Sequence, residues 1–151
     1  MGKPPIIAAF CGTGKTYLCQ KYGKKFIEFE CWRYQNKQGF PHNIVNHIIS
    51  VNSCISGILI STNPVVLNKL PTENNVVLVY PEISLKDEYI KRFVKRGSSK
   101  DFILTLSKYW KPWILEARRN SQTRHIVLKS GQYLESVLFK PDNQALHQNC
   151  R

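Results

Sequence analysis

The chain has 151 residues, of which 42% are hydrophobic, and its formal net charge at pH 7 is +12. This length is most simply one domain, and without an apolar run of about 18 residues no membrane span is expected. Met1–Pro4 lacks the apolar core of a signal peptide, and the five cysteines form no C-x-x-C pair. We therefore expect a reduced cytoplasmic protein without a zinc site. The large positive charge predicts an anionic partner: a nucleotide, a nucleic acid or both.

The first predicted strand, Pro5–Phe10, leads through the run AFCGTGKT into a helix over Lys15–Lys21. A strand, a Gly-containing loop and a helix N-terminus in this order are typical of a phosphate-binding loop, here with Ala9 at the place of the usual first glycine. Backbone N–H groups of such a loop surround a nucleotide phosphate, and the lysine reaches the β and γ oxygens. The alternative is a Gly-containing turn that precedes Lys-Thr by chance.

We therefore predict ATP and Mg²⁺ as cofactors, although the sequence does not distinguish ATP from GTP. Lys15 is a predicted catalytic residue, and the Thr16 hydroxyl is the predicted metal ligand. Cys11 lies inside the loop near a helix N-terminus, which predicts a lowered pKa of its thiol. The predicted cofactor-binding residues are Gly12, Thr13, Gly14, Lys15, Thr16 and Tyr17.

Further strands are predicted at Lys25–Glu30, Gly57–Ser61, Asn75–Tyr80 and His125–Lys129. The runs GILI and VVLV within them are continuously apolar, as strands buried on both faces of a parallel sheet are. Helices are predicted between these strands at Asn43–Asn52 and Pro64–Leu70. Asn63 is the expected N-cap of the second helix, with proline in its first position.

The connection between the fourth and fifth strands holds two predicted helices. Ser84 and Asp87 have the spacing of a capping box before an amphipathic helical stripe. Ser98 or Ser99 is expected to cap the next helix, which Pro112 should kink or split. Residues 86–124 hold eleven Lys and Arg against four Asp and Glu, so most of the basic charge belongs to this connection.

The alternation of strands and helices predicts an α/β fold, a three-layer α/β/α sandwich around a five-stranded parallel sheet. We expect a single domain over residues 1–140, in which Tyr133–Phe139 is the last helix. Residues 141–151 are expected to be a polar C-terminal tail. Ligands of such sheets bind beyond the carboxyl ends of the strands, where the candidate chemistry should lie.

Three stretches, AFCGTGKTYL, ILIST and LVYPEISLKDEYIKRFVKRG, resemble the nucleoside monophosphate kinase group of P-loop proteins. They look most like small phage-encoded kinases that act on deoxynucleotides. The resemblance implies a P-loop kinase-like fold with strand order 2-3-1-4-5. It also implies a mobile helical lid between strands 4 and 5, here about residues 84–100, with arginines that close over the transferred phosphoryl group.

Arg92 and Arg96 are the candidate lid cations and are predicted to be catalytic. They share one helical face, and arginine binds phosphate oxygens bidentately. The alternative is a solvated helix face on which Glu88 pairs with Arg92.

Glu30 is the remaining predicted catalytic residue. In related small kinases a carboxylate after strand two contacts the acceptor, so Glu30 could orient the acceptor or take a proton from it. The alternative is a strand-end carboxylate paired with Lys24, Lys25 or Arg33. Trp32 could stack on a base, or it could close the edge of the core. The predicted substrate-binding residues are Glu28, Trp32, Arg33, Ser61 and Thr62.

Strands three, four and five do not end in the Asp that often holds the magnesium water shell in P-loop enzymes. Glu28 or Glu30 could take that role, or Thr16 and the phosphates alone could hold Mg²⁺. A third interpretation is a domain that binds nucleotide with little turnover.

We expect an ATP-dependent phosphotransferase, a small kinase that acts on a nucleotide or nucleotide-like acceptor. One alternative is a kinase that acts on a modified base or strand end within DNA or RNA, which the charge of +12 favours. The other is a non-catalytic nucleotide-binding interaction module, which the missing strand-end Asp favours.

Overall fold

The computed structural model describes residues 2–51 and 54–140. The predicted polar tail at 141–151 lies outside these described residues. Within them, no helix combines the length and the apolar character needed to cross a membrane.

A five-stranded parallel sheet forms the centre of the molecule, in the order β2-β3-β1-β4-β5. The predicted α/β class, the parallel sheet and the strand order are thereby confirmed. Ile7 of β1 lies opposite Leu59 of β3 on one side and Val77 of β4 on the other. The strands are β1 (Ile6–Ala9), β2 (Phe26–Phe29), β3 (Gly57–Ile60), β4 (Val76–Pro81) and β5 (Arg124–Leu128).

Seven α-helices connect and flank these strands within the described residues. The two longest, α5 and α6, form the connection between β4 and β5, and their packing against each other makes this connection a helical hairpin. The helices are α1 (Lys15–Tyr22), α2 (Trp32–Gln35), α3 (His42–Ser50), α4 (Pro64–Leu67), α5 (Lys86–Lys95), α6 (Lys100–Arg119) and α7 (Leu134–Leu138).

Helices cover both faces of the sheet. Successive side chains of a strand point to opposite faces, so Ile6 and Ala8 of β1 enter one core and Ile7 and Ala9 the other. The first core is closed by buried residues of α3, α4, α5 and α6, and the second by α1 and α7. This burial on both faces explains why the central strands are apolar throughout.

Two predicted helix caps are present. The Asn63 side chain accepts a hydrogen bond from the backbone N–H of Val65 at 2.9 Å and caps α4. Ser99 caps α6 by accepting from the N–H of Phe102 at 3.2 Å. Both side chains satisfy an N–H group that the first turn of a helix leaves without a partner.

The predicted capping box at Ser84 and Asp87 is wrong. Residues Ile83–Leu85 form a short 3-10 helix that leads directly into α5, so Leu85 occupies the cap position without a side-chain bond. Of the two effects predicted for Pro112, a split of its helix is also wrong, because α6 continues past it to Arg119, and a kink stays a prediction. Buried Trp110 and Ile114 lie on either side of this proline. Their packing offsets the loss of the one backbone hydrogen bond that proline cannot donate.

Candidate functional site

A cleft of about 1010 Å³ opens beyond the carboxyl ends of β1, β2 and β3. Four segments form its walls: the Gly-rich loop (residues 10–14) with the start of α1, the β2–α2 segment, the β3–α4 segment, and the facing sides of α5 and α6. Of the residues predicted as site residues, those that line it are Gly12, Gly14, Lys15, Thr16, Tyr17, Glu28, Glu30, Trp32, Ser61, Thr62 and Arg96.

The shape of the Gly-rich loop depends on two glycines and one threonine. Gly12 and Gly14 have φ angles of 78° and 98°, in the left-handed region that side chains disfavour. A Cβ added to Gly12 would also come within 3.0 Å of the Phe93 ring. Thr13 is fully buried and donates from its hydroxyl to the Phe10 carbonyl at 2.7 Å. Thr13 therefore stabilises the loop through its side chain instead of lining the cleft with it.

The Lys15 ammonium lies over the end of β1. Its Nζ donates to the carbonyls of Ala9 at 2.8 Å and Phe10 at 3.2 Å. Burial lowers the pKa of Lys15, against the opposing influence of nearby Cys11 and Glu28. A cation that is poorly solvated and held by carbonyl oxygens is favourably placed to bind an anion entering the loop.

Thr16 and Glu28 are joined across the cleft floor. The Thr16 hydroxyl donates to Glu28 Oε1 at 3.0 Å, which links the first turn of α1 to β2. The two side chains thus place a hydroxyl oxygen and a carboxylate oxygen next to each other, both of them hard donors of the kind that Mg²⁺ binds. Within residues 2–51 and 54–140, no group of three or more His, Cys, Asp and Glu side chains is arranged to hold a metal ion by itself.

Glu30 and its neighbours form a local unit at the cleft rim. Arg33 Nε donates to Glu30 Oε2 at 2.6 Å, and the Arg33 guanidinium lies 5.0 Å from the centre of the Trp32 ring. Glu30 therefore forms an ion pair with Arg33, which is the alternative that the sequence left open to a catalytic role for Glu30. Trp32 is 65% exposed and lines the cleft, whereas Arg33 is not among the lining residues. Trp32 therefore does not close the core edge.

The structure separates the two predicted arginines. Arg96 lines the cleft and is exposed, with its guanidinium 5.2 Å from the centre of the Phe93 ring. Arg92 does not line the cleft, because its guanidinium is bonded to the Gly12 carbonyl and to Glu88. Arg96 is the one of the two that is placed to meet a ligand.

The predicted lid segment, residues 84–100, packs as part of the first core. Tyr89 and Phe93 of α5 are 0% and 2% exposed. The Tyr89 ring packs edge to face with the Phe10 ring and at a tilted angle with the Trp110 ring. Motion of this segment would have to expose these rings. The lid movement that the resemblance implies stays a prediction.

The expectation of a lowered Cys11 pKa is wrong. Burial raises the pKa of this thiol to about 11, and the nearby charges of Lys15 and Arg96 only partly oppose the effect. Desolvation of the thiolate in the loop therefore outweighs the positive field at the start of α1.

Sequence reasoning missed one wall of the cleft. Phe102, Thr105, Trp113 and Glu116 lie along one face of α6 and all line the cleft. The apolar stripe of this helix, which runs from Phe102 to Ile114 in the sequence, is too broad for one buried face. Its buried members are Leu106, Trp110 and Ile114, while Trp113 is 38% exposed. The width of the stripe, and the acidic residue three positions after Trp113, were the available signals.

The sequence matches no protein-family model and no curated protein. The assignment of a function therefore rests on the residues of the cleft and their geometry.

Proposed function

We propose that the chain is an ATP-dependent phosphotransferase of the P-loop nucleotide-kinase type that acts on a nucleotide or nucleotide-like acceptor. The observation that carries the proposal is the position of Lys15 and Thr16. They begin α1, directly after a loop with two left-handed glycines, at the carboxyl end of the central strand and at the floor of a large cleft. This is the arrangement that a triphosphate requires.

The donor nucleotide occupies the Gly-rich loop. Backbone N–H groups of the loop and of the first turn of α1 bind the β-phosphate, and Lys15 leaves the strand carbonyls to bind the β and γ oxygens. Arg96 lies on the opposite wall and balances charge on the γ-phosphoryl group during transfer. The positive groups required for phosphoryl transfer therefore come from two sides of the cleft.

Thr16 and Glu28 fit a magnesium site. Mg²⁺ keeps several waters and takes only one or two protein oxygens besides those of the phosphates, so a hydroxyl and a carboxylate 3.0 Å apart are sufficient. Glu28 thus fills the role of the missing strand-end Asp better than Glu30, which is engaged with Arg33. The bound ion would supply neutralisation of charge on the β- and γ-phosphates.

The acceptor occupies the outer part of the cleft. Trp32, Phe102 and Trp113 offer aromatic surfaces, and Ser61 and Thr62 offer hydroxyl groups. A volume of about 1010 Å³ is at the upper end of the usual range for ligand pockets, which leaves room for two ligands.

In the transfer step, an acceptor oxygen bonds to the γ-phosphorus while the bond from that phosphorus to the β–γ bridging oxygen breaks, leaving ADP. An acceptor phosphate has no proton to lose at this step, whereas an acceptor hydroxyl passes its proton to a carboxylate such as Glu30.

A polynucleotide acceptor is the second candidate. Tyr109 and Trp113 are partly exposed on α6 and stack with ring centres 5.6 Å apart, and Lys108 lies 5.2 Å from the centre of the Tyr109 ring. Exposed aromatic rings beside cations are typical of surfaces that bind single strands. Trp113 is also one of the residues that line the cleft.

The test is a transfer assay with γ-labelled ATP and Mg²⁺, offering mononucleotides, nucleosides and single- and double-stranded DNA. We expect label on a mononucleotide, at least about 100-fold less with Lys15→Ala, and a similar loss with Glu28→Gln that added Mg²⁺ partly restores. Lys21→Ala, in the last turn of α1, is the matched control and should retain activity. Equal transfer by Lys15→Ala would contradict the mechanism, and tight ATP binding without transfer to any acceptor would favour the non-catalytic module.

A further inference from the structure

Arg92 lies over two tyrosine rings at the base of the Gly-rich loop. Its guanidinium carbon is 4.3 Å from the centre of the Tyr89 ring and 3.9 Å from that of Tyr133. The side chain is only 13% exposed, so its charge is largely removed from water. A buried guanidinium needs acceptors for its N–H groups, and the positions of those acceptors define its role.

The acceptors of Arg92 belong to three separate segments. Nη1 donates to the Gly12 carbonyl at 3.0 Å, in the Gly-rich loop. Nη2 donates to Glu88 Oε2 at 3.0 Å within α5 and to the Gln132 carbonyl at 3.2 Å between β5 and α7. A single side chain therefore joins the loop, α5 and the β5–α7 connection.

Glu88 extends this network on the side away from the loop. Its carboxylate accepts a hydrogen bond from the Ser130 hydroxyl at 2.5 Å and one from the Gly131 N–H at 3.2 Å. The β5–α7 connection in turn contacts the loop directly, since the Leu134 N–H donates to the Thr13 carbonyl at 2.9 Å. Residues 130–134 and the Gly-rich loop are thus held in one arrangement, with Arg92 at its centre.

The peptide between Gly12 and Thr13 is the unit that Arg92 holds. A trans peptide is planar, so its C=O and N–H point in opposite directions. Among the described residues the one cis peptide is Phe40–Pro41. A Gly12 carbonyl bound to Arg92 therefore directs the Thr13 N–H away from the Arg92 guanidinium. Without that bond, a glycine with a φ of 78° has wide freedom to rotate this peptide.

We propose that Arg92 is a positioning residue that fixes the Gly12–Thr13 peptide, so that the loop presents its N–H groups to a phosphate before the nucleotide binds. The inference rests on the proposed function for its consequence in nucleotide binding. It assigns Arg92 a different role from Arg96, the cation that meets the phosphoryl group. Arginine is required here because its planar cation lies over two tyrosine rings while both of its terminal nitrogens donate, which a lysine cannot reproduce.

The first experiment measures the loop itself and needs no ligand. Amide hydrogen exchange of the intact protein is compared for wild type, Arg92→Ala, Arg92→Lys and the control Arg96→Ala. We expect exchange in residues 10–16 and 129–134 to accelerate about tenfold or more in both Arg92 variants and to stay unchanged in Arg96→Ala. Unchanged exchange in the loop overturns the proposal. Acceleration spread evenly over β3, β4 and α6 also overturns it, because a general loss of stability is not positioning.

The second experiment separates binding from transfer. We expect Arg92→Ala to weaken ATP binding about tenfold, and added guanidinium to recover part of that loss, whereas Arg96→Ala keeps the ATP affinity and lowers turnover. A transition-state role for Arg92 predicts the reverse, lower turnover at unchanged ATP affinity, and would overturn the proposal. If wild type binds no ATP, the proposed function fails, and the exchange measurement alone then decides whether Arg92 holds the loop.

Discussion

Lys15 and Cys11 show how strongly the base of the Gly-rich loop is desolvated. Burial lowers the pKa of the Lys15 ammonium and raises that of the Cys11 thiol, and in each case it is the largest influence. Each group's charge favours ionisation of the other, yet burial prevails in both. A site that disfavours isolated charges strengthens every interaction between a bound phosphate and its cation.

Cys11 provides a direct measure of that desolvation. With a pKa of about 11, its thiolate fraction at pH 8 is about 100-fold below that of a thiol with a pKa near 9. We expect iodoacetamide to label Cys11 much more slowly than the exposed Cys54, and the Cys11 rate to rise about tenfold per pH unit up to about pH 11. Peptide mass spectrometry measures both rates in one sample. Labelling of Cys11 as fast as Cys54 in the folded protein at pH 8, with no change on adding urea, would contradict a buried thiol.

The helix α6 serves the core with one face and the cleft with another. Leu106, Trp110 and Ile114 are buried in the first core, and Trp110 also donates from its indole N–H to the Ile83 carbonyl at 2.8 Å. Phe102 and Glu116 lie on the cleft side. The stability of this helix therefore determines the shape of the proposed acceptor site as well as that of the core.

The N-terminus of α6 can be tested through its cap. Ser99→Ala removes the acceptor of the Phe102 N–H, and we expect the free energy of unfolding to fall by about 1 kcal/mol. Ser98→Ala is the matched control, because its side chain caps no helix, and it should change stability by less than about 0.5 kcal/mol. Urea unfolding measures both variants. Equal effects of the two substitutions would argue against Ser99 as the cap.

The order of elements could be predicted because each strand and helix carries a local signal. The apolar runs of β3 and β4 indicate burial on both faces, and Asn63 followed by proline marks the start of α4. The choice between Arg92 and Arg96 could not be made in this way. They share one helical face, and their different partners depend on how α5 packs against Gly12 and residues 130–133, which are far away in sequence.

At the scale of the whole molecule, the sheet order explains where the cleft lies. The connection after β1 leads through α1 to β2 on one side, whereas the connection after the neighbouring β3 crosses to β4 on the other side. A crevice forms at this switch point, beyond the carboxyl ends of the strands. The motif predicted the end of the cleft that the Gly-rich loop forms, whereas the opposite wall depended on the packing of α6 and became apparent only in the structure.

The charge of +12 suggests a second measurement, since α6 carries Lys108 and Lys111, and the Lys108 ammonium lies 5.2 Å from the centre of the partly exposed Tyr109 ring. We expect a single-stranded oligonucleotide to bind, and with about four phosphate contacts its affinity should fall roughly 50-fold between 50 and 200 mM salt. The double variant Lys108→Ala/Lys111→Ala should reduce this dependence of affinity on salt, and the double variant Lys24→Ala/Lys69→Ala, elsewhere in the chain, should not.

Phosphoryl transfer to a mononucleotide should change less than about threefold over the same range of salt, because few charges meet such a small acceptor. If transfer instead falls in parallel with oligonucleotide binding and occurs only on strands, the acceptor is a polynucleotide. If no oligonucleotide binds at 50 mM salt, Lys108 and Lys111 do not belong to a nucleic-acid-binding surface.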